Sequence, residues 1–195
     1  IPCDVIWLDI DYMDGFRCFT VDANAFPDLR GLDGELQAQG FRTVAIIDPG
    51  IKQESGYHVF ETGDALDAWV QTPAGKPYQG SVWPGNCVFP DFTIERVRAW
   101  WGGLYGQFLS LGLDGIWNDM NEPAVFNVDG HTMPVTNVHR ADPELGGTGT
   151  HARYHNVYGM LMSRATYEGF EQARPQQRPF VLTRASHLGG QRWAA

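Results

Sequence analysis

Four short apolar segments, each running into a charged residue, constrain this 195-residue chain more than any other feature of its sequence. They are Asp4 to Asp11, Arg42 to Asp48, Leu113 to Asp119 and Pro179 to Arg184, and their β-branched and aromatic content predicts buried strands. Helical patterns lie between them. The clearest spans Thr93 to Leu111, where Ile94, Val97, Trp101, Leu104, Phe108 and Leu111 recur at three- and four-residue steps behind Thr93 as a candidate N-cap. Gly102, Gly103 and Gly106 weaken its intrinsic propensity, so packing has to hold it. A shorter helix is expected from Asp33 to Gln39, and another from about His155 to Ala173.

Strands alternating with helices imply βαβ units and a parallel sheet, whose functional end is the carboxyl end of the strands. An open doubly wound sheet usually carries a glycine-rich phosphate loop, and neither G-x-G-x-x-G nor a Walker pattern occurs here. The expected fold class is therefore α/β, with a barrel preferred to an open sheet. Two long connections, from Asp48 to Pro90 and from Pro123 to about Gly149, are suited to building a pocket at its C-terminal face.

Composition narrows the function. A formal net charge of -9 argues against nucleic acid as a partner, because a basic surface supplies most of that affinity. No apolar run has the length of a membrane span. Three cysteines, without metal-ligand spacing, suggest neither a disulfide framework nor a zinc site, and no cofactor motif is present. The aromatic residues exceed what a core of this size needs, and their flat faces suit sugar rings, although core filling accounts for most of them.

The run from Gly115 to Pro123 reads as an active site. Strand alternation puts Leu113, Gly115, Trp117 and Asp119 on one face, so Asp119 projects at the strand end beside an indole. Asp119 and Glu122 are two nearby carboxylates that can hold different protonation states, as acid/base chemistry requires. Asp9 and Asp11, two apart, are expected to point from their strand toward the same mouth. Four clustered carboxylates also fit a divalent cation, so a non-catalytic sugar- or calcium-binding module is the rival reading. Arg184 at a strand end can orient a carboxylate or donate to hydroxyls, or serve as a structural ion pair. Trp83, held between Val82 and Pro84-Gly85, can wall a sugar pocket or simply pack. The six histidines show no metal spacing and read as structural or exposed, and no G-x-S-x-G supports a serine nucleophile.

These motifs together resemble glycoside hydrolase family 31, the retaining α-glucosidase family. Trp117-Asn118-Asp119-Met120-Asn121-Glu122-Pro123 is similar to that family's nucleophile motif, and Trp7-Leu8-Asp9-Ile10-Asp11-Tyr12-Met13-Asp14 to its earlier strand motif. The resemblance continues through Ile47-Asp48-Pro49-Gly50, Val82-Trp83-Pro84-Gly85, Phe89-Pro90-Asp91-Phe92, His155-Asn156-Val157-Tyr158-Gly159 and Phe180-Val181-Leu182-Thr183-Arg184, in the family's order. It implies Asp119 as nucleophile, Glu122 as its support, and Asp9, Trp83, Trp117 and Arg184 as substrate-binding residues. It further implies an α-glucoside oligosaccharide as substrate and neither metal nor cofactor. α-Xylosidase, transglucosidase and glucan lyase activities belong to the same family. The four strands would match strands two to five of a (β/α)8 TIM barrel, so that residues 1–195 form one partial barrel domain. The family's β-sandwich, the later strands and the general acid/base are then expected outside this chain, the acid beyond Ala195. The fragment alone is expected to be inactive.

Overall fold

Strands form where the apolar alternation is densest, and each stops at the first polar residue that the turn can use. The computed structural model describes residues 1–195. In chain order, β1 (Val5–Leu8) leads through α1 (Leu29–Ala38) to β2 (Arg42–Ile47). The long connection that follows holds β3 (Ile51–Lys52), α2 (His58–Ala65), β4 (Gly80–Val82) and β5 (Gly85–Val88). Then come α3 (Glu95–Leu109) and β6 (Gly115–Asn118), the small strands β7 (Val138–His139) and β8 (Gly149–Thr150), α4 (His151–Ala173) and β9 (Val181–Thr183).

Strands β1, β2, β6 and β9 pair in that order, all parallel, with one of α1, α3 and α4 in each crossover. The sheet does not close. The long connections form their own small sheets, β3-β5-β4 and β7-β8, at the carboxyl edge of the main one. One face of the main sheet is sealed: Ala45, Ile47 and Ile116 are fully buried in a core with Trp101, Tyr105, Phe108, Leu161 and Phe170 from the helices. On the opposite face Trp7 meets Trp117 and Phe180 edge-on, with centroids 6.1 and 6.2 Å apart, and Trp7 and Phe180 stay 42% exposed. Gly115 makes this possible, since a Cβ there would lie 2.6 Å from the Phe180 ring.

Several expected boundaries move, each for a physical reason. β1 stops at Leu8, because Asp9 caps a 3-10 turn over Ile10–Tyr12, accepting from the Ile10 amide at 2.7 Å. That turn buries Tyr12, whose hydroxyl donates to Ile46 O at 2.8 Å. Asp9 and Asp11 therefore do not share a strand face. α1 begins at Leu29 rather than Asp33, since Asp28 accepts from the Gly31 amide. Thr93 does not cap α3; its hydroxyl donates to Asp91, and the free Glu95 amide is met by Asp142, which arrives from the second long loop. α4 starts four residues early, at His151.

The weak helix former Gly102 is explained by its contact with α4. A Cβ added at Gly169 would lie 2.5 Å from both Gly102 Cα and Gly102 O, so the two helices touch backbone to backbone. Gly103 faces open space. Gly169→Ala is expected to destabilise the chain by about 1–3 kcal/mol through overpacking, and Gly103→Ala to stabilise it by about 0.5–1 kcal/mol. Urea denaturation of the two variants checks this; equal shifts would refute the close helix contact.

Candidate active site

The site begins with register. Ile47 lies opposite Asn118, and Asn118 opposite Thr183, so the next residues, Asp48, Asp119 and Arg184, leave three parallel strands at one level. Asp9 follows Leu8, the last residue of β1, which lies opposite Ala45, so it leaves its strand at the level of Ile46, two residues before Asp48. The Asp119 amide still donates to Ile47 O at 3.2 Å, after which Met120 takes a left-handed φ of 55° and reverses the chain. For a non-glycine residue that conformation costs on the order of 1–3 kcal/mol, which the surroundings must hold in place. Asn121 does so: fully buried, its side-chain amide donates to Thr183 Oγ1 at 2.9 Å and to Gly159 O at 3.4 Å.

Arg184 faces this turn. Its Nε and Nη2 donate to the two carboxylate oxygens of Glu122, both at 2.9 Å, in a forked pair. Nη2 also donates to the Met120 sulfur at 3.2 Å. Nε lies 3.2 Å from Asp119 Oδ1, so Asp119 receives the charge while the fork is aimed at Glu122. Asp119 Oδ1 is left buried without a hydrogen bond.

Burial and crowding set the protonation of the cluster. Asp48, only 4% exposed, is pushed up to about 7, by burial first and then by the Asp119 charge; Arg184 opposes this, and Asp9 and Glu122 add to it. Its Oδ1 has no hydrogen-bond partner, and its carbonyl accepts from the Cys18 thiol at 3.2 Å. Asp119 is raised too, by burial first, against the Arg184 guanidinium and the Met120 amide, with Glu122 and Asp9 adding to the rise. Arg184 is held above its ordinary value chiefly by its hydrogen bonds to Glu122.

Of the residues expected from sequence, Asp9, Asp119, Glu122 and Arg184 come together. Trp117 lies two residues before Asp119, half-buried against Trp7. Trp83 stands apart from these contacts at the tip of the β4–β5 hairpin, 46% exposed and edge-on to Phe126 at 5.0 Å. Phe126 is brought there by its amide donating to Ser81 O at 2.8 Å. Asp11 is exposed in its 3-10 turn, and its expected place in the cluster is taken by Asp48. The signal for Asp48 was its position, since it ends the strand next to that of Asp119. No three His, Cys, Asp or Glu side chains are arranged to hold a metal ion.

With this geometry in hand, the relatives are informative. The family model described as the glycosyl hydrolases family 31 TIM-barrel domain matches residues 1–195. The chain belongs to family 31 of the glycosyl hydrolases, and its four-stranded sheet is an arc of that barrel. It is 48% identical to alpha-glucosidase 2 of Bacillus thermoamyloliquefaciens and 42% identical to human neutral alpha-glucosidase AB, in each case over its whole length. It spans only 24% and 20% of those two proteins. Among solved structures, an ER glucosidase II heterodimeric complex matches the whole chain with TM-score 0.91 at 40% identity, the chain covering 21% of it. A family 31 alpha-glucosidase from Bacteroides thetaiotaomicron matches with TM-score 0.83 at 47% identity, 30% of that chain being covered.

The raised Asp48 carboxyl makes a pH prediction. Its folded value, about 7, lies above its unfolded one, so the folded chain holds the extra proton between them. Its contribution is fully present below the ordinary aspartate range and lost as pH rises through about 7. Between pH 4 and pH 8 Asp48 is expected to subtract on the order of 3 kcal/mol from stability, while His151, held below its ordinary value, acts in the opposite direction, so Asp48 is read from the difference between the chain and Asp48→Asn. Urea midpoints of both at the two pH values measure it; the same pH response in the variant as in the chain would show that Asp48 is not the group.

Proposed function

We propose that the protein of which this chain is part is a retaining α-glucosidase, cleaving terminal α-linked glucose from oligosaccharides, with Asp119 as nucleophile. The observation that carries this reading is the state of the Asp119 carboxylate: Oδ1 is buried 3.2 Å from the Arg184 guanidinium, while the second oxygen, Oδ2, is neither buried nor hydrogen-bonded. Oδ2 is the oxygen left to attack an anomeric carbon, and Arg184 favours the ionised form against burial.

In this mechanism a second carboxyl protonates the leaving oxygen from about 5–5.5 Å away, and the covalent glycosyl intermediate is then hydrolysed. Glu122 is not assigned that role. Both of its oxygens accept from Arg184, so it positions the guanidinium beside Asp119. The acid is assigned to a part of the parent protein outside these residues. Asp9 and Arg184 offer an acceptor and a donor for sugar hydroxyls, and a site built on such bonds rejects analogues that lack them. Trp117 and Trp83 supply aromatic walls.

The test uses the full-length parent with an aryl α-glucoside. Asp119→Asn is expected to lower kcat by at least about a thousandfold, as loss of a nucleophile does. Turnover comparable to the parent's would remove Asp119 from the role. Glu122→Gln is expected to cost less, about ten- to a hundredfold, because it weakens a charge pair and leaves the attacking group in place.

A further inference from the structure

Outside the carboxylate cluster, the chain buries a second set of titratable groups. Asp91, just after β5, His139 on β7 and His151, the first residue of α4, are all fully buried. His139 Nδ1 lies 2.8 Å from Asp91 Oδ1, and His139 Nε2 lies 2.9 Å from His151 Nδ1. Asp91 also accepts from the Arg140 amide at 2.7 Å and the Thr93 hydroxyl at 2.5 Å. Three separate elements are thus joined by one directional chain of hydrogen bonds.

The Asp91 end of this chain fixes one proton. Burial alone would raise the Asp91 carboxyl, but the bonds from His139, Thr93 and Arg140 hold it below its ordinary range. Ionised, Asp91 only accepts, so His139 Nδ1 carries a hydrogen. Burial first, and then the neighbouring His139 and His155, lower His151 to about 3 and keep it neutral. His139 Nε2 and His151 Nδ1 then share one hydrogen, one ring donating and the other accepting. Tyr154 and Tyr158 pack around the His139 ring, with centroids 5.6 and 6.1 Å away, and fix its plane.

Two turns into α4, the helix meets the site. At Gly159 an added Cβ would lie 2.7 Å from the carbonyl oxygens of both Asn121 and Ala185. Asn121 is in the turn that carries Asp119 and Glu122, and Ala185 follows Arg184. Eight residues of helix, about 12 Å, separate this contact from His151. Moving the start of α4 therefore moves a helix already in backbone contact with both active-site turns. A buried ionic chain is a poor source of stability compared with apolar packing, and what it does supply is one fixed geometry.

We propose that Asp91, His139 and His151 are positioning residues for the glycosidic reaction, holding α4 where it sets the Asn121 and Ala185 turns. The kinetic part of this inference rests on the α-glucosidase reading; the structural part does not. In the full-length parent, His151→Leu is expected to lower kcat about tenfold while KM stays within about threefold, since a small misplacement acts on the transition state more than on binding. His151→Gln, whose side-chain amide can still donate to or accept from His139, is expected to recover most of the loss. Combined with Asn121→Ala, His151→Leu is expected to cost far less than the product of the two single effects, because both act on one turn.

Amide hydrogen exchange supplies a readout independent of activity. His151→Leu is expected to speed exchange at residues 119–124 by about tenfold with the rest of the barrel unchanged. Should that variant not fold, His139→Gln is read in the same two ways. Independent effects in the double variant, or exchange at 119–124 equal to the parent's, would overturn the proposal. If the parent cleaves no α-glucoside, the glucosidase reading fails by itself, and the exchange result still decides whether the network holds the turns.

Discussion

Because Ile47, Asn118 and Thr183 sit opposite one another across three parallel strands, the side chains that follow them emerge one strand spacing apart, about 4.8 Å. Everything distinctive about the site follows from that alignment. Asp48 and Asp119 become neighbours, Arg184 flanks Asp119 on the other side, and Asp9 joins from β1. A slip of one residue in any pairing would turn these groups to the opposite face and bring apolar residues out of the sealed core. The apolar alternation that buries Ala45, Ile47 and Ile116 thus also fixes where the charges go.

Neighbouring carboxylates with one guanidinium among them cannot all be equally ionised, and depth decides which yields. Asp48 is nearly inaccessible, carries an unpaired oxygen and rises to about 7. Asp119, closer to Arg184, is raised against a direct opposing charge, and Glu122 takes the forked hydrogen bonds. The same residue type is thereby placed in different surroundings, which is how one site obtains groups with separate chemical roles. Glu122 strengthens Arg184 as a cation, and the cation acts on Asp119.

The sequence made the strands, their charged ends and the α3 stripe legible, because local periodicity records them directly. It misled where a long-range contact outweighed a local pattern. Asp9 and Asp11 read as one strand face, yet burial of Tyr12 against Ile46 pulls the chain into a turn after Leu8. Thr93 read as a cap, yet Asp91 claims its hydroxyl and Asp142 caps the helix from 47 residues away. Asp91, His139 and His151 belong to three elements with no motif spacing, so only the fold makes them a unit.

The two faces of the sheet give the site's parts different degrees of independence. Asp48 is already buried by the elements present here, so its proton affinity is a property of this arc and does not wait for neighbouring strands. The side chains of Arg184 and Glu122 are 45% and 37% exposed, and water screens their pairing. Covering the face that carries Trp7 and Phe180 would strip that water and strengthen the pull of Arg184 on Asp119. It would also deepen the burial that already raises Asp119, so closure sharpens both opposing influences on that carboxyl at once, burial toward the proton and Arg184 against it.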